Sequence, residues 1–259
     1  MRKKIIIPII LSLVSLTAWG QEIAKTASPE DTEIYSPVPK VITPGMNLGD
    51  APSDALILFD GTNLNQWVSS ADHNSATGWV LGKGYFTVKK GTSNIESKQK
   101  FLNYQLHIEW KIPENISGSG QARGNSGVFL ASTGSGDAGY ELQVLDGYQN
   151  KTYVNGMVGS IYKQYVPLVN PARKPGEWQN YDIIWTAPQF NKDSTLSSPA
   201  KATVFFNGVL VQNNITLKGE TRYIGQPFYK EHGACPIKLQ AHGDKSEPIS
   251  FRNIWIRNL

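Results

Sequence analysis

The chain has 259 residues, 25 Lys and Arg against 21 Asp and Glu, and one cysteine. Three of the bases and none of the acids fall within residues 1–20, which leaves 22 bases and 21 acids in the remainder. That balance gives no case for nucleic acid or an anionic membrane, and with Cys235 alone an intrachain disulfide and a cysteine-built zinc site are excluded.

Residues 1–20 read as a signal peptide. Arg2, Lys3 and Lys4 form a basic start, Ile5 to Ala18 is apolar, and Ala18-Trp19-Gly20 puts small residues at the positions that specify cleavage before Gln21. The apolar run is too short and wrongly flanked for a bilayer span, and no cysteine lies near the cleavage site. The expected product is therefore periplasmic or secreted, with no stable membrane anchor. Residues 21–54 are rich in Pro and Ser, as in Ser36-Pro37-Val38-Pro39, and read as an extended N-terminal segment.

From residue 55 to 259 the texture is that of one domain. Short apolar or alternating runs recur between Gly, Asn and Asp turns: Leu56–Phe59, Tyr85–Val88, Tyr104–Ile112, Gly127–Leu130, Tyr140–Leu145, Tyr181–Trp185, Thr203–Phe206, Val209–Gln212, Ile237–Gln240 and Ile249–Arg257. Asn207-Gly208 between two such runs is a strong hairpin signal. Ten or more short strands without helical periodicity predict an all-β sandwich or jelly roll of antiparallel sheets. Lys163–Glu177 and Gln189–Ala200 interrupt the pattern and read as surface loops.

The stretch from Tyr140 to Asp146 carries the chemistry. In a strand, Tyr140, Leu142 and Val144 share the core face, and Glu141 and Gln143 share the other. Asp146 joins them if a β-bulge shifts the register after Val144. Carboxylates on a rigid strand serve sugar-cleaving enzymes as acid, base or nucleophile. The spacing resembles the Glu-x-Asp-x-x-Glu strand of laminarinase-type glycosidases, from which this chain departs at Gln143 and Asp146.

The phrases Leu58-Phe59-Asp60-Gly61-Thr62, Gly124-Asn125-Ser126-Gly127-Val128, Tyr140–Asp146, Gly159 with Tyr162, Trp178-Gln179-Asn180-Tyr181, Phe206-Asn207-Gly208, Ile237–Gly243 and Phe251-Arg252-Asn253-Ile254 occur in this order. Together they resemble the 3-keto-disaccharide hydrolase domain family over residues 55–259. The resemblance implies a concanavalin-like jelly-roll β-sandwich and an enzyme acting on a glycoside with a ketone at C3. Such a ketone acidifies the C2 proton, and the enolate can expel the group at C1. The chemistry needs a base near C2, a group to hold the enolate oxygen, and an acid near the leaving oxygen. A divalent metal ion is one candidate for holding that oxygen. No other cofactor is implied. The implied partner is a small carbohydrate.

Glu141 and His242 are the expected catalytic residues. His242 shares an alternating polar face with Lys238 and Gln240, where an imidazole can serve as base or metal ligand. Gln143, Asp146, Lys163, Arg123 and Gln240 are candidate substrate contacts. Each has a plainer reading: an inter-strand amide for Gln143, a turn residue for Asp146 and a solvated loop base for Lys163. Glu141, Asp146 and His242 are the metal candidates, although no His-x-His or Glu-x-x-His cluster gathers them. Asn125 and Ser126 are expected to brace the site strand, Arg252-Asn253 to be structural, and His107 to face outward. Trp67, Trp79, Trp110, Trp185 and Trp255 are expected mostly in the core. Among loop aromatics, Tyr148, Tyr153 and Tyr165 are the sugar-stacking candidates. Two other functions fit the same fold: a non-catalytic carbohydrate-binding module and an ordinary retaining glycosidase.

Overall fold

The computed structural model describes residues 27–243 and 248–259. The expected signal peptide lies outside the described residues. The chain divides into two units at Val41 and Ile42. In the first, a 3-10 turn, Pro29–Thr32, follows a capping box at Ser28.

The second unit is built from β-strands. They are β1 (Leu56–Phe59), β2 (Trp67–Ser69), β3 (Val80–Leu81), β4 (Phe86–Thr87), β5 (Ile95–Ser97), β6 (Tyr104–Lys111), β7 (Ser126–Ser132), β8 (Gly139–Val144), β9 (Trp178–Thr186), β10 (Gln189–Phe190), β11 (Leu196–Ser198), β12 (Lys201–Phe206), β13 (Val209–Thr216), β14 (Lys238–Leu239) and β15 (Ser250–Asn258). Eight form one sheet in the order β13-β12-β9-β6-β15-β4-β3, with β1 also on β15. Five form the other, β2-β5-β14-β7-β8. Adjacent strands run antiparallel, as in β6 with β9 and β7 with β8. The result is a jelly-roll β-sandwich. The Gln189–Ala200 insertion, expected as a loop, instead contains the small hairpin β10–β11.

Alternation sorts the residues as a strand requires. Leu106, Ile108 and Trp110 of β6, Tyr181, Ile183 and Trp185 of β9, and Val128, Leu130, Tyr140, Leu142 and Val144 of β7 and β8 all enter one core. Each such side chain contributes about 1.5–3 kcal/mol on burial. The β12–β13 turn takes positive φ at both Asn207 and Gly208, the geometry a two-residue hairpin needs.

Two tyrosines of the larger sheet reach across and fix the smaller one. Tyr104 donates to the Leu130 carbonyl at 2.6 Å, and Tyr181 to the Gln143 carbonyl at 2.7 Å. The outer edge of β8 is covered by the chain at 159–162, through an antiparallel bridge between Leu142 and Ile161. The strand that carries Glu141 and Gln143 is thus held from below and from its side.

Candidate active site

With Tyr140, Leu142 and Val144 committed to the core, Glu141 and Gln143 face outward from the five-stranded sheet. Cross-strand register extends this face into a row. Glu141 lies opposite Phe129, Phe129 opposite Lys238, and Lys238 opposite Glu96. One step along, Gln143 lies opposite Gly127, whose carbonyl accepts from the Gln240 N–H at 3.0 Å. Gly127 is required for space, because a Cβ there would come within 2.7 Å of Glu141 Oε1. Above this bare floor opens a cleft of about 550 Å³. Its lining includes Glu141 and Gln143 on the sheet, Gln240 and His242 in the chain just past β14, Asp137 at one wall, and Tyr153, Tyr162, Lys163 and Tyr223 at another.

Glu141 is 6% exposed. Burial, and after it the charge of Asp137, disfavours the carboxylate and pushes this acid up to about 8. Its backbone is pinned, with N–H donating to Thr221 Oγ1 and the carbonyl accepting from the Tyr162 N–H, both at 3.0 Å. Gln143 donates through Nε2 to Gln121 Oε1 and Asn125 Oδ1 at 3.2 Å, so Asn125 does brace the site strand. The Oε1 atoms of Gln143 and Gln240 are buried without a partner among the described residues. An unmatched buried acceptor costs about 1–3 kcal/mol. A ligand carrying hydroxyls would recover it.

The Asp137 wall is stapled down. Lys238, expected on the polar face with Gln240 and His242, is fully buried beneath the 134–138 loop. Its Nζ donates to the carbonyls of Gly134, Gly136 and Ala138 at 2.8, 2.8 and 3.1 Å, and stands 3.5 Å from Glu96. Asn94 ties this wall to the histidine. Its Nδ2 donates to Asp137 Oδ1 at 2.9 Å, and its Oδ1 accepts from the N–H of Ala241, next to His242, at 2.8 Å.

On the far wall the Leu142–Ile161 bridge sets Tyr162 directly across from Glu141. The Tyr162 and Tyr153 hydroxyls lie 2.6 Å apart. Lys163, at φ 58, turns its Nζ over the Tyr223 ring at 4.3 Å and donates to the Tyr223 carbonyl at 2.6 Å.

Of the residues expected from the sequence, Glu141, Gln143, Gln240, His242 and Lys163 are brought together here. Arg123 and Asp146 are not. β8 ends at Val144 with no bulge to return Asp146 to the row. Asp146 is instead 1% exposed, accepting from Arg123 Nε at 2.5 Å and from the Tyr148 N–H at 3.0 Å, which closes the turn after the strand. The metal candidates Glu141, Asp146 and His242 therefore do not converge. Among the described residues no group of three or more His, Cys, Asp or Glu is placed to hold a metal ion. Of the three stacking candidates Tyr148, Tyr153 and Tyr165, Tyr153 lines the cleft, while Tyr165 donates to the Thr216 carbonyl. Asp137, Thr221 and Tyr223 carried no sequence signal for the site, and Tyr162 entered only as part of the family phrases, with no role. They reach it through loops and a cross-strand register that composition does not reveal.

A family model described as a 3-keto-alpha-glucoside-1,2-lyase-like domain matches residues 54–257. No curated protein matches. Among solved structures, a candidate glycosyl hydrolase from Parabacteroides distasonis ATCC 8503 is 53% identical, with 90% of this chain and 97% of that one covered and a TM-score of 0.83. A second so described from the same organism is 17% identical with a TM-score of 0.56, covering 80% of this chain and 94% of its own, and shares the fold. By the extent of the family match and the identity of the first structure, this chain belongs to the 3-keto-alpha-glucoside-1,2-lyase-like family.

Proposed function

We propose that the protein is an exported enzyme that cleaves 3-keto-glycosides, with Glu141 as the general acid and His242 as the base. The observation that carries this reading is Glu141: a buried acid held neutral up to about pH 8, in a cleft with two unmatched amide oxygens. A neutral carboxylic acid at working pH can give its proton to a leaving oxygen, and an imidazole can take one from carbon made acidic by a ketone.

In the proposed reaction the C2 proton passes to His242. The electron pair left at C2 forms C1=C2, the C1–O bond breaks, and the departing oxygen takes the Glu141 proton. Water then adds back at C1 with a proton at C2, giving the free keto sugar. Gln143 and Gln240 accept from sugar hydroxyls through their free Oε1 atoms. An ordinary retaining mechanism needs a second carboxylate about 5–5.5 Å across the bond; among the described residues Asp137 is the other carboxylate lining this cleft, and equal turnover of oxidised and unoxidised substrates would favour that reading. The strand offers Gln143 at one expected position, and Asp146 is bound by Arg123. A non-catalytic carbohydrate-binding role would use the same two amide oxygens, and it predicts binding without turnover.

The test is incubation of the purified protein with an aryl 3-keto-glucoside and its unoxidised parent, with and without a chelator. Turnover of the keto substrate alone is expected. Equal turnover of both would reject elimination, and binding of either with no turnover would leave a carbohydrate-binding module. Export is tested by N-terminal sequencing of material released by cells, with Gln21 as the expected first residue.

A further inference from the structure

Two hydroxyl groups carry two protons, and one hydrogen bond between them uses one. The Tyr153 and Tyr162 hydroxyls share a single 2.6 Å contact, and among the described residues no second protein acceptor takes the remaining proton. Both tyrosines line the cleft, so that proton is available to an acceptor inside it. Tyr162 is 8% exposed and, by the Leu142–Ile161 register, faces Glu141. Burial raises both hydroxyls above the usual tyrosine range, which keeps them protonated and able to donate. A cation stands beside them: Lys163 Nζ lies 5.7 Å from the Tyr162 ring and 5.8 Å from the Tyr153 ring. Its charge counts toward holding a negative charge that forms beside the pair, against the burial that opposes one. The pair is also built for its place. A Cβ on Gly156 would fall 1.9 Å from the Tyr153 ring, so only glycine lets that ring lie where it meets Tyr162.

We infer that the Tyr153–Tyr162 hydroxyl pair is the donor that engages the ring ketone and holds the enolate oxygen formed from it, an inference that rests on the keto-glycoside reading above. As the C2–H bond breaks and its proton goes to the base, the electron pair forms C2=C3 and the carbonyl π pair moves onto O3. The pair's free O–H hydrogen-bonds that oxygen without giving up its proton. When C3=O re-forms, the C2=C3 electrons make C1=C2 and the C1–O pair leaves with the Glu141 proton. The donor needed for the oxyanion is thus supplied by side chains of the protein.

The experiment follows loss of the C2–H signal of an aryl 3-keto-glucoside in D₂O by NMR, counting both exchange and elimination, for wild type, Tyr162→Phe and Tyr153→Phe. Removing one donor from an oxyanion site slows a reaction about 10²–10³-fold, and this loss is expected for Tyr162→Phe. Tyr153→Phe leaves the Tyr162 proton free and should lose less. Melting temperature and affinity for the unoxidised parent glucoside should hold in both, which a structural defect would not allow. C2–H loss within threefold of wild type in Tyr162→Phe, or no C2–H loss by wild type, overturns the inference. Release of the C2 proton by wild type with the aryl group still attached would instead refute glycoside cleavage and leave the donor assignment to be judged by the variants.

Discussion

On the outer face of each sheet a carboxylate and a histidine share a pocket, yet the two faces treat buried charge in opposite ways. On the eight-stranded sheet, His107 and Glu109 line a pocket of about 370 Å³ with Asp182, Trp178 and Arg252. His107 is 2% exposed, its Nδ1 lies 2.6 Å from Asp182 Oδ1, and its ring stacks on Trp255. Glu109 accepts from Arg252 Nε at 2.6 Å and Asn253 Nδ2 at 2.8 Å. Burial alone would lower His107, but its hydrogen bonds to Asp182 and Glu109 outweigh it and raise the imidazole to about 9. Burial alone would raise Glu109, but bonds from His107, Asn253 and Arg252 bring it down to about 2. In the Glu141 cleft both causes push the same way, and the acid stays neutral. A buried charge with its partners in place locks the fold, and a buried acid without them is set up to move a proton.

The largest expected effect is at Glu141. Glu141→Gln should lower turnover about 10²–10⁴-fold, the scale of a positioned acid, with no loss of melting temperature. The sign follows from its pKa. Folded Glu141 titrates near 8, above its ordinary 4.5, so the stability it contributes is complete below 4.5 and is lost as pH rises through 8. Gln does not titrate, so the variant should melt at or above wild type, with the gap opening across that range. Calorimetry against pH checks this, and a gap of opposite sign would mean that Glu141 is paired.

The opposite face should respond in the opposite way. His107→Ala removes the buried imidazole from an ion pair whose carboxylate, Asp182, is partly exposed, and should lower the melting temperature, while turnover of the folded protein stays at the wild-type level. His107 titrates near 9 in place of 6.5, so its contribution is complete below 6.5 and vanishes as pH rises through 9. The stability difference between wild type and variant should shrink over that interval. A fall in turnover at constant melting temperature would move His107 into the chemistry and erase the contrast.

Smaller effects sharpen the comparison. Gly127→Ala puts a methyl against the Glu141 carboxyl and should cost about tenfold in turnover, or ~1.4 kcal/mol, with the sandwich intact. Asp137→Asn removes the lesser of the two causes that hold Glu141 neutral. It should move the basic limb of the rate profile to lower pH without abolishing activity.

The fold was legible wherever alternation was long and apolar. β6, β8, β9 and β15 were foreseen because period-two burial is written in their sequences. β5 was not, because its Ile-Glu-Ser stretch buries Glu96 and Ser97 as polar residues. β2 and β3 have only three and two residues, too few to show a period. In the site, Glu141 and Gln143 followed from strand parity, while Gln240 and His242 were expected on an alternating strand that in fact ends at Leu239, and His242 drew also on the family resemblance. Asp146 did not, because the bulge that would have brought it back is absent and Arg123 takes the carboxylate. Tyr162 and Asp137 owe their places to the Leu142–Ile161 bridge and the Lys238 staple, contacts between residues far apart in sequence.

The neutral Glu141 is tested most directly by the pH dependence of kcat/KM for an aryl 3-keto-glucoside, wild type beside Asp137→Asn, since this quantity reports groups of the free enzyme. The expected rate falls as pH rises through about 8, and the fall begins at lower pH in the variant. A rate that instead climbs through pH 8 would show that the ionised group does the work, contradicting the assignment of Glu141 as the acid.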